Sequence, residues 1–142
     1  EITGHDFDQV ILAAGAWLPD LLMPLGYQVD VRPQKGQLLD YVCEDWASDA
    51  YPVVMPEGEL DIIPFNQGKI SVGASHENDK GYDLEPDWQV LEKLEMQAFT
   101  YLPTLKEATQ KAYRVGIRAY TSDYSPFYGQ VPNLKHLYVL VV

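Results

Sequence analysis

The sequence predicts an α+β fold, built on a mostly antiparallel sheet with one helix packed against it. Three observations lead there. Strand-like apolar segments follow one another between residues 28 and 74, a single amphipathic stretch with three- and four-residue spacing occupies 87–102, and an alternating strand returns at 111–121. Several strands, then a helix, then another strand is the order of an α+β layer. With 142 residues, 46% of them apolar, the chain has about the length of one domain and can bury a real core.

Taken in order, residues 9–14 (Q-V-I-L-A-A) form a first apolar strand candidate. Gly15 lets the backbone turn, and a short helix is expected around 17–23, closed by Pro24 and Gly26. Residues 28–42 alternate in stretches around P-Q-K-G-Q, which reads either as two strands or as one bulged strand broken at Gly36, where the backbone passes close to a neighbour. An acidic loop with Glu44, Asp45 and Asp49 follows, and 51–55 reads as another strand ended by P-E-G-E. Residues 60–65 and 69–74 flank N-Q-G, whose glycine supplies the positive φ of a tight hairpin.

Pro86 lies near a first helical turn, with Glu85 and Asp87 at the positive end of the helix dipole. Leu91, Leu94, Ala98 and Leu102 mark the buried face, Glu92, Lys93 and Glu95 face water, and Pro103 stops the helix. The final run L-Y-V-L-V-V has the composition of a buried strand. Together with 9–14 it suggests pieces of one sheet whose remainder lies outside this sequence. No two glycines are spaced G-x-G, so the phosphate-cradling turn of a dinucleotide-binding unit is missing from it.

Ten basic against 21 acidic residues give a net charge of -11, which repels phosphate backbones and anionic lipid, so a small molecule is the expected partner. The longest nearly uncharged run, 10–18, is too short to span a bilayer, and a cytoplasmic location is expected. Cys43, the single cysteine, has no disulfide partner and no neighbours at metal-ligand spacing; no metal site and no Ser-His-Asp or Cys-His pattern is present. The stretch 116–129, G-I-R-A-Y-T-S-D-Y-S-P-F-Y-G, sets Arg118, one of three arginines, among apolar and tyrosine residues. A guanidinium offers a rigid, permanently charged fork that matches a carboxylate, so burying it calls for an anionic partner. That partner is either a ligand or an internal Asp or Glu.

The pieces L-A-A-G-A-W (12–17), P-L-G (24–26), V-R-P-Q-K-G-Q-L-L (31–39), I-I-P-F (62–65), V-G-A-S-H-E (72–77), L-P-T-L (102–105), G-I-R-A-Y-T-S-D (116–123) and L-Y-V (137–139) stand in an order that resembles the FAD-dependent amino-acid oxidase family of glycine oxidase, D-amino-acid oxidase and the sarcosine oxidase branch. The resemblance covers essentially the whole chain. It implies a parent two to three times as long, with a Rossmann-type FAD domain of discontinuous segments and an inserted D-amino-acid oxidase-like substrate domain. Residues 1–26 would be a returning segment of the FAD domain, 27–136 the substrate-binding domain, and 137–142 the start of the next FAD-domain strand.

By the same resemblance Arg118 falls on the arginine that binds the substrate carboxylate; Tyr120, Tyr124 and Tyr128 are candidates to line or close the pocket, with core and surface packing as the alternative for at least two of them. Ala14 and Gly15 match residues where a strand end meets the flavin, and Gly36 with Gln37 a loop near its ring system; tight packing is the alternative for both pairs. Asp61 stands where glycine oxidase has a tyrosine, and would repel an anionic substrate unless it pairs with Arg118 or a substrate amine. His76 stands where glycine oxidase has a methionine by the substrate, and is either incidental or a hydrogen-bonding partner for a more polar substrate. Arg118 occupies the place of the cysteine that holds flavin covalently in the sarcosine oxidase branch, so FAD is expected noncovalently in the full-length parent, and not in this chain by itself. The implied activity is oxidation of the C–N bond of a small amino acid or secondary amine. A noncatalytic ligand-binding module, or the oxidase part of a tRNA-modifying enzyme, are the alternatives.

Overall fold

Alternation along the strands decides which face of the larger sheet is buried. The computed structural model describes residues 6–58 and 60–141, with the elements β1 (Val10–Leu12), α1 (Leu18–Leu22), β2 (Arg32–Val42), β3 (Asp61–Pro64), β4 (Lys69–Gly73), α2 (Trp88–Tyr101), β5 (Gln110–Tyr120), β6 (Phe127–Gln130) and β7 (Leu137–Val141). By contacts the chain forms two compact units, Lys35–Ile117 and a second one made of the residues up to Gln34 with those from Arg118 onward. The division between these units falls inside β2 and β5. The reason is burial: Tyr27, Val29, Val31, Ala119, Phe127 and Val131 all pack with the core of the second unit.

Four strands stand in the order β3-β4-β2-β5, with β4 antiparallel to both β2 and β3. Leu39 faces Val72, which faces Ile62, and Tyr41 faces Ile70. These five side chains share one side and form a single buried cluster with Leu91, Leu94 and Ala98 of α2. Each such side chain contributes about 1.5–3 kcal/mol by leaving water. Asp40, Ser71 and Ile63, paired in the intervening register, belong to the other side. Leu102, expected on the buried face of the helix, packs half-buried against this cluster, just beyond the end of α2.

The helix begins at an N-cap, Asp87, whose carboxylate accepts from the amides of Gln89 (3.1 Å) and Val90 (3.4 Å). Pro103 opens a 3₁₀ turn after it. Glu95 does not simply face water: it accepts from the buried Tyr41 hydroxyl at 2.9 Å and pairs with Lys111 at 2.6 Å. Burial, then the Glu95 carboxylate, pushes the Tyr41 phenol well above the ordinary tyrosine range.

Two sequence expectations are corrected and one strand is added. P-Q-K-G-Q makes no break, since β2 runs through Gly36 as one strand. The strand expected at 51–55 reduces to one antiparallel bridge, Val54 with Ile62, because Pro52 and Pro56 lack the N–H groups a longer ladder needs. β6, between Pro126 and Pro132, was not expected from the sequence.

Residues 75–87 are strapped onto β2 by two buried side chains. The Lys35 ammonium, 1% exposed, donates to Asp83 Oδ2 at 2.9 Å and to the Glu85 carbonyl. Gln37, 0% exposed, donates through Nε2 to Glu77 Oε1 at 2.8 Å and accepts at Oε1 from the Asp87 amide at 2.8 Å. Its backbone exchanges bonds with Ser75, N–H to Oγ at 2.9 Å and carbonyl to amide at 3.0 Å. The strap thus delivers Asp87, and with it the start of α2, to the sheet.

In the second unit β7 lies between β1, parallel, and β6, antiparallel. Parallel neighbours cannot be joined by a tight turn, so the whole of 13–136 is their crossover. Leu18 and Leu22 of α1 pack on Val139 and Val141.

Two predictions follow from local geometry. Gln67 and Gly68 both sit in the left-handed region, at φ 62 and 69, and a Cβ on Gly68 would lie 2.0 Å from the Cys43 carbonyl oxygen. Gly68→Ala is therefore expected to cost about 2–4 kcal/mol of stability in chemical denaturation; an unchanged midpoint would show the hairpin free to move off β2.

The second concerns acid. The Lys35 ammonium holds the Asp83 carboxyl below its usual range, so the folded-state value lies under the unfolded one of about 3.9. The stability it contributes is present above that pH and is lost as pH falls through the folded value. Asp83→Asn should lower the melting temperature at neutral pH, and the gap to the parent protein should narrow between about pH 5 and pH 2. A gap independent of pH would refute the coupling.

Candidate functional site

Arg118 enters its unit from the last turn-free stretch of β5 and is half-buried. Its Nη1 donates to Gln34 Oε1 at 3.2 Å, and Gln34 itself is 2% exposed. Arg32 pairs with Asp30 at 2.7 Å and Arg114 with Asp40 at 2.6 Å, whereas Arg118 makes no ion pair among the described residues. A neutral amide oxygen fixes one prong of its fork and leaves the charge uncompensated. The internal acid that the sequence allowed as a partner is not there among the described residues.

Tyr120 has neighbours on two sides: it lies near the Arg32 guanidinium, which it helps keep protonated, and its ring stands 5.7 Å from that of Tyr124. Tyr124 and Tyr128 are 70% and 74% exposed. Asp30 in turn is held low by Ser122 and then Arg32, so 30, 32, 120 and 122 form one polar network at the surface.

Ala14 and Gly15 follow the carboxyl end of β1, the end at which ligands collect beside parallel strands. Gly15 has φ 53, and a Cβ built on it would meet nothing within 4 Å. The backbone is therefore open to a flat group at this turn, which fits the approach of a flavin. Gly36 lies half-buried inside β2 on the opposite side from Lys35 and Gln37. Gln37 fits a flavin contact poorly: its side chain is fully buried, and each of its polar atoms already has a partner in the strap.

Within Lys35–Ile117, Asp61 opens β3 opposite Gly73, half-buried, and His76 is exposed just beyond β4. A Cβ on Gly73 would come 2.6 Å from the Leu38 Cβ, so the position beside Asp61 stays free of a side chain. Gln34 and Lys35 were not singled out from the sequence. Their signal was present in P-Q-K-G-Q, where polar residues interrupt an otherwise apolar strand, but nothing local names their partners.

The family model described as FAD dependent oxidoreductase matches residues 1–141. Glycine oxidase of Pseudomonas putida (strain KT2440) is 38% identical over 133 residues, covering 93% of this chain and 35% of its own length. The oxidoreductase YurR of Bacillus subtilis (strain 168) is 38% identical over 136 residues, 92% of this chain and 36% of its own. Among solved structures, iminodiacetate oxidase from Chelativorans sp. BNC1 superposes with a TM-score of 0.91 at 30% identity, over 96% of this chain and 37% of that one. The chain spans little more than a third of the length of these relatives.

Proposed function

The chain belongs to the FAD dependent oxidoreductase family, and on that footing we propose that it supplies the substrate-binding part, with a returning edge of the flavin domain, of an enzyme that oxidises the C–N bond of a small amino acid or secondary amine. The observation that carries this reading is Arg118, which bonds the neutral amide of Gln34 and makes no ion pair among the described residues, while both other arginines are paired with carboxylates. Relatives named glycine oxidase and iminodiacetate oxidase are named for small amines that bear carboxylates, the group such a fork holds.

In this proposal Arg118 binds and orients the substrate carboxylate, and Gln34 keeps the guanidinium in place. Tyr120 acts less directly, through the network with Arg32. Asp61 and His76 keep substrate roles on resemblance alone, Asp61 toward an amine and His76 toward a polar group. FAD, held noncovalently in the full-length protein, supplies the two-electron acceptor, and Ala14, Gly15 and Gly36 are the positions of this chain proposed to lie against it. Gln37 contributes by holding the strap. Such chemistry asks the protein for orientation, a dry pocket and an uncharged amine more than for a strong side-chain base. No helix among the described residues is long and apolar enough to cross a membrane. A cytoplasmic location is part of the proposal, supported by a single free, buried cysteine that needs no oxidising compartment.

Full-length protein is expected to show a flavin spectrum. In it Arg118→Lys keeps the charge but loses the fork, so apparent affinity for amino acids should fall by roughly 2 kcal/mol, about 30-fold, with flavin content and melting temperature nearly unchanged. Gln34→Glu, which gives Arg118 an internal carboxylate, should weaken binding in the same direction. Strong destabilisation by Arg118→Lys with intact affinity would make the residue structural and remove the support for this site.

A further inference from the structure

We propose that the outer side of the four-stranded sheet, within Lys35–Ile117, binds a small organic anion in the groove between Lys69 and Arg114. The groove encloses about 410 Å³, and its lining includes Asp40, Phe65, Lys69, Ser71, Lys111 and Arg114. That volume suits a small-molecule ligand. The inference goes beyond the amine-oxidase reading and does not need it.

Charge is the first argument. The chain carries only ten Lys and Arg against 21 acids, yet two of those ten, Lys69 and Arg114, meet at this one groove with a single carboxylate, Asp40, among its lining residues. A local cationic excess on a strongly acidic protein concentrates anions where the rest of the surface repels them. Lys111 lines the groove only by its strand, since its ammonium turns to the helix side and pairs with Glu95 at 2.6 Å, whereas Arg114 pairs with Asp40 on the groove side. Lys69, which is exposed, makes no ion pair among the described residues.

Preorganisation is the second. Asp40 grips the Arg114 fork twice, Nε at 2.6 Å and Nη2 at 3.0 Å, and Ser71 Oγ accepts from Nη2 at 3.3 Å. Burial alone would raise the Asp40 carboxyl, but the bonds from Arg114 and Ser71 outweigh it and hold it below the usual range, so the grip persists near neutrality. The guanidinium is thereby fixed with Nη1 unspent, a donor that costs little further ordering when a ligand arrives. Phe65, 50% exposed, supplies an apolar wall. An acidic head on a short hydrocarbon body matches this combination: the head between Lys69 and Arg114 Nη1, the body against Phe65.

Calorimetric titration of the full-length protein with glutarate, and with uncharged glutaramide as control, tests the proposal. Glutarate should bind and glutaramide should not. Lys69→Gln, at an exposed position, should weaken glutarate about tenfold without changing the melting temperature. Asp40→Asn releases the Arg114 fork and removes the one negative charge, so it should tighten glutarate several-fold, the opposite of what a merely structural Asp40 gives. Arg118→Lys should leave this binding unchanged, which separates the groove from the proposed substrate clamp. Equal binding of both probes, no binding at millimolar glutarate, or an affinity that follows Arg118→Lys and not Lys69→Gln would each overturn it.

Discussion

Lysine buried to 1% exposure is costly unless its charge is met, and the way Lys35 meets it organises the unit around it. Its partners, the Asp83 carboxylate and the Glu85 carbonyl, both lie in the segment that leads into α2. Gln37, two residues on and on the same side of β2, takes hold of the Asp87 amide. Asp87 then caps the helix with its carboxylate, and the cap sets the rotation that turns Leu91, Leu94 and Ala98 toward Leu39, Tyr41, Ile70 and Val72. The order of dependence runs from one ammonium to a strap, from the strap to a helix start, and from there to the core.

The three arginines show how partner choice separates structure from binding. Arg32 and Arg114 are tied to Asp30 and Asp40, which answer part of their charge within the fold. Arg118 is positioned by an amide oxygen, which fixes geometry without cancelling charge. A carboxylate ligand approaching Arg118 displaces no internal anion, whereas one approaching Arg114 must share the fork with Asp40. Family membership, from sequence comparison, and an Arg118 with no ion pair among the described residues, from geometry, are the two observations behind the proposed carboxylate clamp.

The β1–β7 pair makes a comparable point for the second unit. A parallel pair implies a long crossover, and here the crossover contains a complete buried core of its own. The carboxyl end of β1 opens into the Ala14–Gly15 turn, where the absence of a side chain leaves the backbone approachable. Ile11 of β1 is 64% exposed, and Trp17, just before α1, 49%.

Sequence by itself determined the features whose causes lie within a few residues. The helix period with Asp87 and Pro103 at its ends, the N-Q-G hairpin, and the apolar alternation of β2, β4 and β5 all rest on local sterics and spacing, and the order of family motifs made the amino-acid oxidase resemblance legible. Tertiary structure decided everything that depends on a partner far along the chain. Lys35 meets Asp83 across 48 residues, Gln37 meets Asp87 across 50, and Arg118 meets Gln34 across 84. Gln37 ties residues 77 and 87 to β2, Glu95 supports a buried tyrosine, and 51–55 yields a single bridge. Hydrogen bonding is short-ranged in space but indifferent to sequence separation, so which acid, amide or water a polar side chain finds is settled only when the strands are in register.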